Sequence, residues 1–197
     1  IRDYKVTGVQ TCALPILARV GHAVSLWDRH PERCAHMRTH RRNPRYLRDV
    51  ELPPGLEPEP DLARALEGAG LVVTAVPSHA MRAVMAEVGS LIAPGARVCC
   101  ATKGIEEGTL ATMQEVLVEV LPEAIGRDVT VFSGPTFAEE LAKGLTTVAV
   151  VAGPDEAAAA VARSFHGGPL RVYHSHDVVG VCIGGSVKNV MAIATGI

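Results

Sequence analysis

The sequence predicts a doubly wound α/β fold: a mostly parallel sheet with helices on both faces, followed by the start of an all-helical segment. Three observations carry this. Short apolar runs alternate with helical patterns along most of the chain, the mark of βαβ units. Runs such as residues 71–76 (LVVTAV) and 147–151 (TVAVV) are continuously apolar, so both faces of their sheet are covered. Polar or Gly/Pro-rich segments follow the runs at one end: Asp28-Arg29, Pro77-Ser78, Thr102-Lys103-Gly104 and Ser133-Gly134-Pro135. In open α/β sheets the ligand crevice lies outside those carboxyl ends.

Taken in order, residues 1–16 (IRDYKVTGVQTCALPI) follow neither a helical nor an alternating pattern, and Pro15 stands where a helix should be starting. The stretch VTGVQTCALPI reads as the conceptual translation of a short-read sequencing adapter, so residues 1–16 are expected to be foreign to the gene and are excluded from fold reasoning. On that reading the first strand and its glycine loop are missing. Residues 17–21 read as a helix tail with a Gly cap, and 22–27 as a β-rich run. A Pro-rich loop spans 53–60, then a short helix 61–67. Strands are expected at 71–76, 96–101, 129–132, 147–151 and 170–173. Helices are expected at 80–92, over the helically spaced Leu110, Met113, Val116, Leu117, Val120 and Leu121, at 137–143 and at the Ala-rich 155–165. The apolar run 178–197 holds four glycines and a single charge, Lys188, which suits a buried core helix better than a membrane span. The nucleotide-binding domain is therefore expected over 17–176, and a helical domain is expected to begin at 177–197.

Composition narrows the function. The 197 residues are 48% hydrophobic and 20% charged, with mean hydropathy +0.21, which excludes a disordered chain. Net charge is −2 and aromatics are 4%, so neither a basic footprint nor a set of stacking platforms for nucleic acid is present. The five cysteines show no metal spacing, and their odd number favours a reducing compartment, hence a cytoplasmic setting.

Each candidate site residue has a chemical reason. After the second strand of a βαβ unit, an acid such as Asp28 can accept hydrogen bonds from an adenosine ribose, whereas Arg29 suits a 2′-phosphate. Lys103, in a tight turn after a buried strand, can reach a ligand as a point charge. Thr136 and the helix start that follows Gly134-Pro135 suit an anion. Lys188 is expensive in an apolar wall unless it is paired or functional, and Gly184-Gly185 one turn earlier leave room for close approach. His174 and His176, at H-x-H spacing without a third ligand, read as surface residues.

Six segments in order add a resemblance. They are Gly21-His22 with Leu26-Trp27-Asp28-Arg29; Asn43-Pro44-Arg45-Tyr46-Leu47; Ala75-Val76-Pro77-Ser78; Ala101-Thr102-Lys103-Gly104; Ser133-Gly134-Pro135-Thr136-Phe137-Ala138-Glu139-Glu140; and Gly184-Gly185-Ser186-Val187-Lys188-Asn189-Val190. Over residues 17–197 the chain resembles the bacterial-type NAD(P)-dependent glycerol-3-phosphate dehydrogenases. The resemblance implies a Rossmann-type domain followed by a helical one, and reduction of dihydroxyacetone phosphate to sn-glycerol 3-phosphate for phospholipid synthesis. It implies NAD or NADP (NADPH) as cofactor, with Lys188 as catalytic proton donor and acceptor. Lys103, Gly134 and Thr136 would touch substrate; Arg29, Tyr46, Lys103 and Ala138 would touch cofactor. It further implies a small-molecule substrate, no nucleic acid, no membrane span and a homodimer. Asp28 stands where the family often has Gly, so Asp28 and Arg29 pull cofactor preference in opposite directions. With the glycine loop and later substrate residues missing, the 197-residue chain itself is expected to be inactive. Two alternatives stay open: another Rossmann-type hydroxyacid dehydrogenase, or a non-catalytic nucleotide-binding module.

Overall fold

The computed structural model describes residues 5–8, 13–46, 48–135 and 145–196. Eight strands form one sheet: β1 (Lys5–Gly8), β2 (Val24–Trp27), β3 (Leu56–Glu59), β4 (Ala69–Thr74), β5 (Arg97–Cys100), β6 (Thr130–Ser133), β7 (Thr147–Ala152) and β8 (Leu170–Ser175). Their order is β3-β2-β1-β4-β5-β6-β7-β8, parallel throughout except for the antiparallel pair β6–β7. The first six strands thus have the order 3-2-1-4-5-6 of a dinucleotide-binding sheet, with the direction of winding reversing between β1 and β4.

The described helices are α1 (Leu14–Arg19), α2 (Pro31–His40), α3 (Leu62–Leu66), α4 (Met81–Gly89), α5 (Met113–Val120), α6 (Glu123–Gly126), α7 (Asp155–Ser164) and α8 (Val178–Ala194). Side-chain alternation along the strands divides the core in two. Leu71, Val73, Cys99 and Phe132 face a layer with Leu14 and Leu17 of α1, Met37 of α2, and Val161 with Phe165 at the end of α7. Val72, Val98, Cys100 and Val131 face the other layer, with Met81 and Met85 of α4, Val116 and Leu117 of α5, and Cys182 of α8. The sheet is covered on both sides from β4 to β6, as the continuous apolar runs require; at β7 and β8 one face is open, with Val148 and Tyr173 exposed.

Four sequence expectations need correction. The first strand is not missing: Lys5–Gly8 pairs in parallel with both β2 and β4 at the centre of the sheet. α1 begins at Leu14 rather than appearing only as a tail from residue 17; Pro15 is in its first turn, where a missing N–H costs nothing, and Leu14, Ile16 and Leu17 are buried. The Pro-rich loop 53–60 contains β3, whose Leu56 is fully buried; Pro58 is tolerated because β3 is an edge strand, paired only with β2. The run 178–197 is not a buried core helix. On α8 only Cys182 and Gly185 are buried, while Val179, Val190, Met191 and Ile193 are exposed. No helix among the described residues is long and apolar enough to cross a membrane.

Smaller differences have local causes. α5 starts at Met113, not Leu110, because Thr112 and Glu115 form a reciprocal capping box; Leu110 lies outside it with φ 61°. α2, unexpected from its polar sequence, has Pro31 in its first turn, Glu32 near its start and Arg38 and His40 near its end, and buries only Cys34 and Met37. The expected helix 137–143 lies outside the described residues.

The adjacent thiols of Cys99 and Cys100 are fully buried, and burial pushes each up to about 12. Both are therefore expected to resist alkylation at neutral pH in the folded chain and to react promptly after unfolding. Mass spectrometry of the peptide containing 99–100 checks this; fast labelling of the folded protein there would contradict the packing.

Candidate functional site

The polar segments identified in the sequence line the carboxyl ends of the strands, and they form two hollows. The first has a volume of about 480 Å³ and lies where β2 ends, bounded by Asp28, Arg29, Arg33, Tyr46, Pro77 and His79 among others. Its floor is rigid. Trp27 Nε1 donates to Pro60 O at 3.1 Å. The buried Asn43 accepts from the Arg45 and Tyr46 amides at 2.9 and 3.1 Å, which presents Tyr46 to the hollow with the Arg45 guanidinium 5.2 Å over its ring. Asp28 is not a free acceptor. Its carboxylate takes the His30 amide at 3.0 Å and the Arg33 guanidinium at 2.6 Å, in a pair whose side chains are 14% and 16% exposed. Arg29 is exposed at the same rim, its Nε 3.4 Å from His30 Nε2. The opposition between Asp28 and Arg29 expected from sequence is thus reduced, because Arg33 neutralises the acid. Nothing in the sequence pattern singled out Arg33.

The second hollow, about 330 Å³, lies at the end of β6, lined by Ser133, Gly134, Pro135, Val181, Gly184 and Lys188, with Val150, Gly180 and Gly185. Three elements converge on it. β5 ends in a turn held by Thr102, whose Oγ1 donates to Val76 O at 2.8 Å, and this turn carries Lys103. Lys103 Nζ reaches Gly134 O at 3.5 Å. α8 crosses above and brings Lys188, half-buried, to the wall of the cleft. Glycines permit the convergence. A Cβ on Gly134 would lie 2.8 Å from Val148 O and 3.0 Å from Ala149 Cα, so only glycine lets β6 leave the sheet this close to β7. A Cβ on Gly185 would meet Ser133 Oγ at 2.5 Å and Lys103 Cγ at 3.7 Å, whereas one on Gly184 would find open space. Gly185 therefore seats the helix on β6, and Gly184 leaves the cleft its room.

The site residues expected from sequence fall as follows. Gly134 and Lys188 line the second hollow, with Lys103 Nζ at the Gly134 carbonyl; Arg29 and Tyr46 share the first. Thr136 and Ala138 lie outside the described residues. His174 and His176 are exposed, and His176 Nε2 lies 3.1 Å from Asp155 Oδ1. A residue the sequence reading assigned no role, Ser186, joins the Lys103 turn to α8. Among the described residues, no group of histidine, cysteine and carboxylate side chains is placed to hold a metal ion.

A nicotinamide dinucleotide fits these residues. The first hollow lies at the winding reversal of a 3-2-1-4-5-6 sheet, with an Arg-bearing rim at the end of β2 for the ribose; at the end of β6 stands a glycine-walled cleft lined by Lys188, whose Gly134 carbonyl Lys103 reaches. Fold and site together define a Rossmann-type nucleotide-binding domain. Comparison with known proteins makes this particular: a family model described as the N-terminus of NAD-dependent glycerol-3-phosphate dehydrogenase matches residues 11–159, and the chain belongs to that family. It is 46% identical over 188 residues to a glycerol-3-phosphate dehydrogenase [NAD(P)+] of Anaeromyxobacter sp. (strain K), covering 95% of this chain and 57% of that protein. It is 44% identical over 182 residues to a second such enzyme, from Salinibacter ruber, covering 92% of this chain and 53% of the relative. The crystal structure of glycerol-3-phosphate dehydrogenase from Coxiella burnetii superposes with a TM-score of 0.87 at 33% identity, over 98% of this chain and 60% of that one. The chain thus spans somewhat over half the length of the relatives it matches.

Proposed function

We propose that the protein to which this chain belongs interconverts dihydroxyacetone phosphate and sn-glycerol 3-phosphate with NAD(H) or NADP(H). The observation that carries this reading is that Gly134, whose carbonyl Lys103 Nζ reaches at 3.5 Å, lines the same hollow as Lys188, at the carboxyl end of β6 in a dinucleotide-binding sheet. The nicotinamide, when bound, supplies or accepts the hydride. Lys188 does the proton work. As the carbonyl carbon of the ketone gains a hydride, its π pair moves to oxygen, and the Lys188 ammonium stabilises that oxygen and gives it a proton; in the oxidation direction the amine takes the proton back. Lys103 adds a fixed positive charge where a doubly charged phosphate ester must settle, and Gly134 lets the substrate approach the backbone. Thr136 and Ala138 belong to the same reading as substrate and cofactor contacts, and Arg29 and Tyr46 as contacts of the adenosine end.

The reading also covers organisation. The nucleotide-binding domain expected over 17–176 also takes in β1 (Lys5–Gly8) and the start of α1, and 177–197 open a helical domain whose further helices cover the exposed apolar residues Val179, Val190, Met191 and Ile193. A cytoplasmic homodimer completes it; the four described cysteines, all buried and unpaired, support the reducing compartment.

The test is an assay of the whole protein, following nicotinamide absorbance with dihydroxyacetone phosphate and, separately, with unphosphorylated 2-keto acids. Turnover confined to the triose phosphate is expected. Turnover confined to a keto acid would move the protein to the hydroxyacid dehydrogenases, and cofactor binding with no turnover on either would make it a nucleotide-binding module.

A further inference from the structure

Lys103 and Lys188 sit on elements with no covalent reason to keep a fixed relation: one on the turn after β5, the other in the middle of α8. The turn's pivot, Gly104, has φ 136°, a conformation that side chains rarely adopt, and a Cβ there would also press within 2.9 Å of Ser78 Cβ. Ser78 thus limits the turn on one flank. Downstream, Glu106 is gripped by Arg82 of α4 through two bonds of 2.9 and 2.8 Å, which hold its carboxyl down at about 2. On the flank facing α8 the hold on the turn's backbone is one hydroxyl. The Gly104 amide donates to Ser186 Oγ at 3.1 Å, and Ser186 donates in turn to Cys182 O, one helical turn back, at 2.8 Å.

This hydroxyl is used in both senses. It accepts from the turn and donates to the helix, so the Gly104 backbone is fastened to the α8 backbone through a single side chain. Ser186 is two residues before Lys188 and touches the residue immediately after Lys103. Next to it, Gly185 allows α8 to come close to Ser133 and Lys103. Cys182, Val178 and Val181 pack the first half of α8 against the core and Gly185 seats it on β6; beyond them Ser186 is the polar tie to the turn, and Lys188 follows it by two residues. We propose that Ser186 is a positioning residue that fixes Lys188 relative to Lys103 by fastening the Gly104 amide to α8. It touches neither reacting group directly.

The proposal rests on the dehydrogenase reading for its kinetic effect, but not for its structural one, and the experiment keeps the two apart. In Ser186→Ala the half-buried Gly104 amide loses its acceptor. Its hydrogen exchange, read by ¹H–¹⁵N NMR in the present chain, is expected to speed up about tenfold or more, while amides in β4 and β5 keep their protection. In the whole protein, kcat with dihydroxyacetone phosphate is expected to fall about 10- to 100-fold, because small displacements of a catalytic group are costly, while the KM for the nicotinamide cofactor stays within about twofold of the parent, a split that general destabilisation would not produce. Ser186→Thr keeps a hydroxyl and is expected to restore both Gly104 protection and turnover. Unchanged Gly104 exchange in Ser186→Ala overturns the proposal, as does a kcat within twofold of the parent or a threonine variant as impaired as the alanine one. A parent protein with no activity on the triose phosphate would sink the functional reading instead, leaving the exchange measurement to judge the fastening alone.

Discussion

Lys188→Met in the whole protein is expected to lower kcat for dihydroxyacetone phosphate reduction by about two to four orders of magnitude, the range that one general acid–base group supplies. Methionine keeps the unbranched length of the side chain and its packing on α8 but can neither donate a proton nor stabilise an alkoxide. Among the described residues lining the cleft at the end of β6, Lys188 is the one ionisable group. Lys103 approaches the same place from beneath, with its Nζ at Gly134 O, and carries charge rather than a proton in this scheme. The two roles predict different kinetics. Lys188→Met should act on kcat and kcat/KM together, since its contribution is made as the charge develops. The hollow at Asp28, Arg29 and Tyr46 is bounded by other residues, so affinity for the cofactor should stay within a few-fold of the parent. Steady-state kinetics with fluorescence titration of the reduced cofactor checks both halves. Turnover within tenfold of the parent would remove Lys188 from the proton step.

The parts of this site that the sequence makes legible share a physical cause. Strands 71–76, 96–101, 129–132 and 147–151 are recognisable as unbroken apolar runs, and the polar turn after each of the first three marks the crevice; β7 runs antiparallel to β6 and ends at the opposite edge. Observed strand boundaries differ from these by a few residues at most. Lys188 is legible because it is the single charge in a long apolar segment. What stays hidden depends on pairings made only in the folded chain. β3 is disguised by Pro58, which an edge strand tolerates. α2 shows too few apolar residues for a helical period, since it buries only two side chains. The capture of Asp28 by Arg33 and the fastening of Gly104 by Ser186 join residues that no spacing rule connects. The exposure of α8 also escaped, because an apolar composition reports what a helix would bury and not what lies against it.

Phe165→Ala is expected to destabilise the fold by about 3–5 kcal/mol, the cost of an aromatic ring removed from a well-packed interior. Phe165 closes α7 and is fully buried; its ring lies on that of Phe132 with centroids 5.0 Å apart and planes 28° from parallel. Two losses therefore combine: the apolar surface returned to water or left facing a void, and an aromatic contact worth about 0.5–1.5 kcal/mol beyond area alone. In a domain of this size each kcal/mol moves the midpoint by about 2–4 °C, so a fall in Tm of about 6–20 °C is expected by calorimetry. The consequence reaches the site through one strand. Phe132 stands immediately before Ser133 and Gly134, which line the cleft beside Lys188, and its ring is what holds the end of β6 to the α7 layer. A void beneath Phe132 should loosen that end before the rest of the sheet opens, so amide exchange at 132–134 should rise more than exchange at 71–73, where β4 is clamped between β1 and β5. Phe165→Leu, which refills most of the volume without the ring, should recover well over half of the lost stability. Equal exchange increases along β4 and β6 in Phe165→Ala would mean that the aromatic pair supports the whole sheet evenly rather than the strand that carries the cleft.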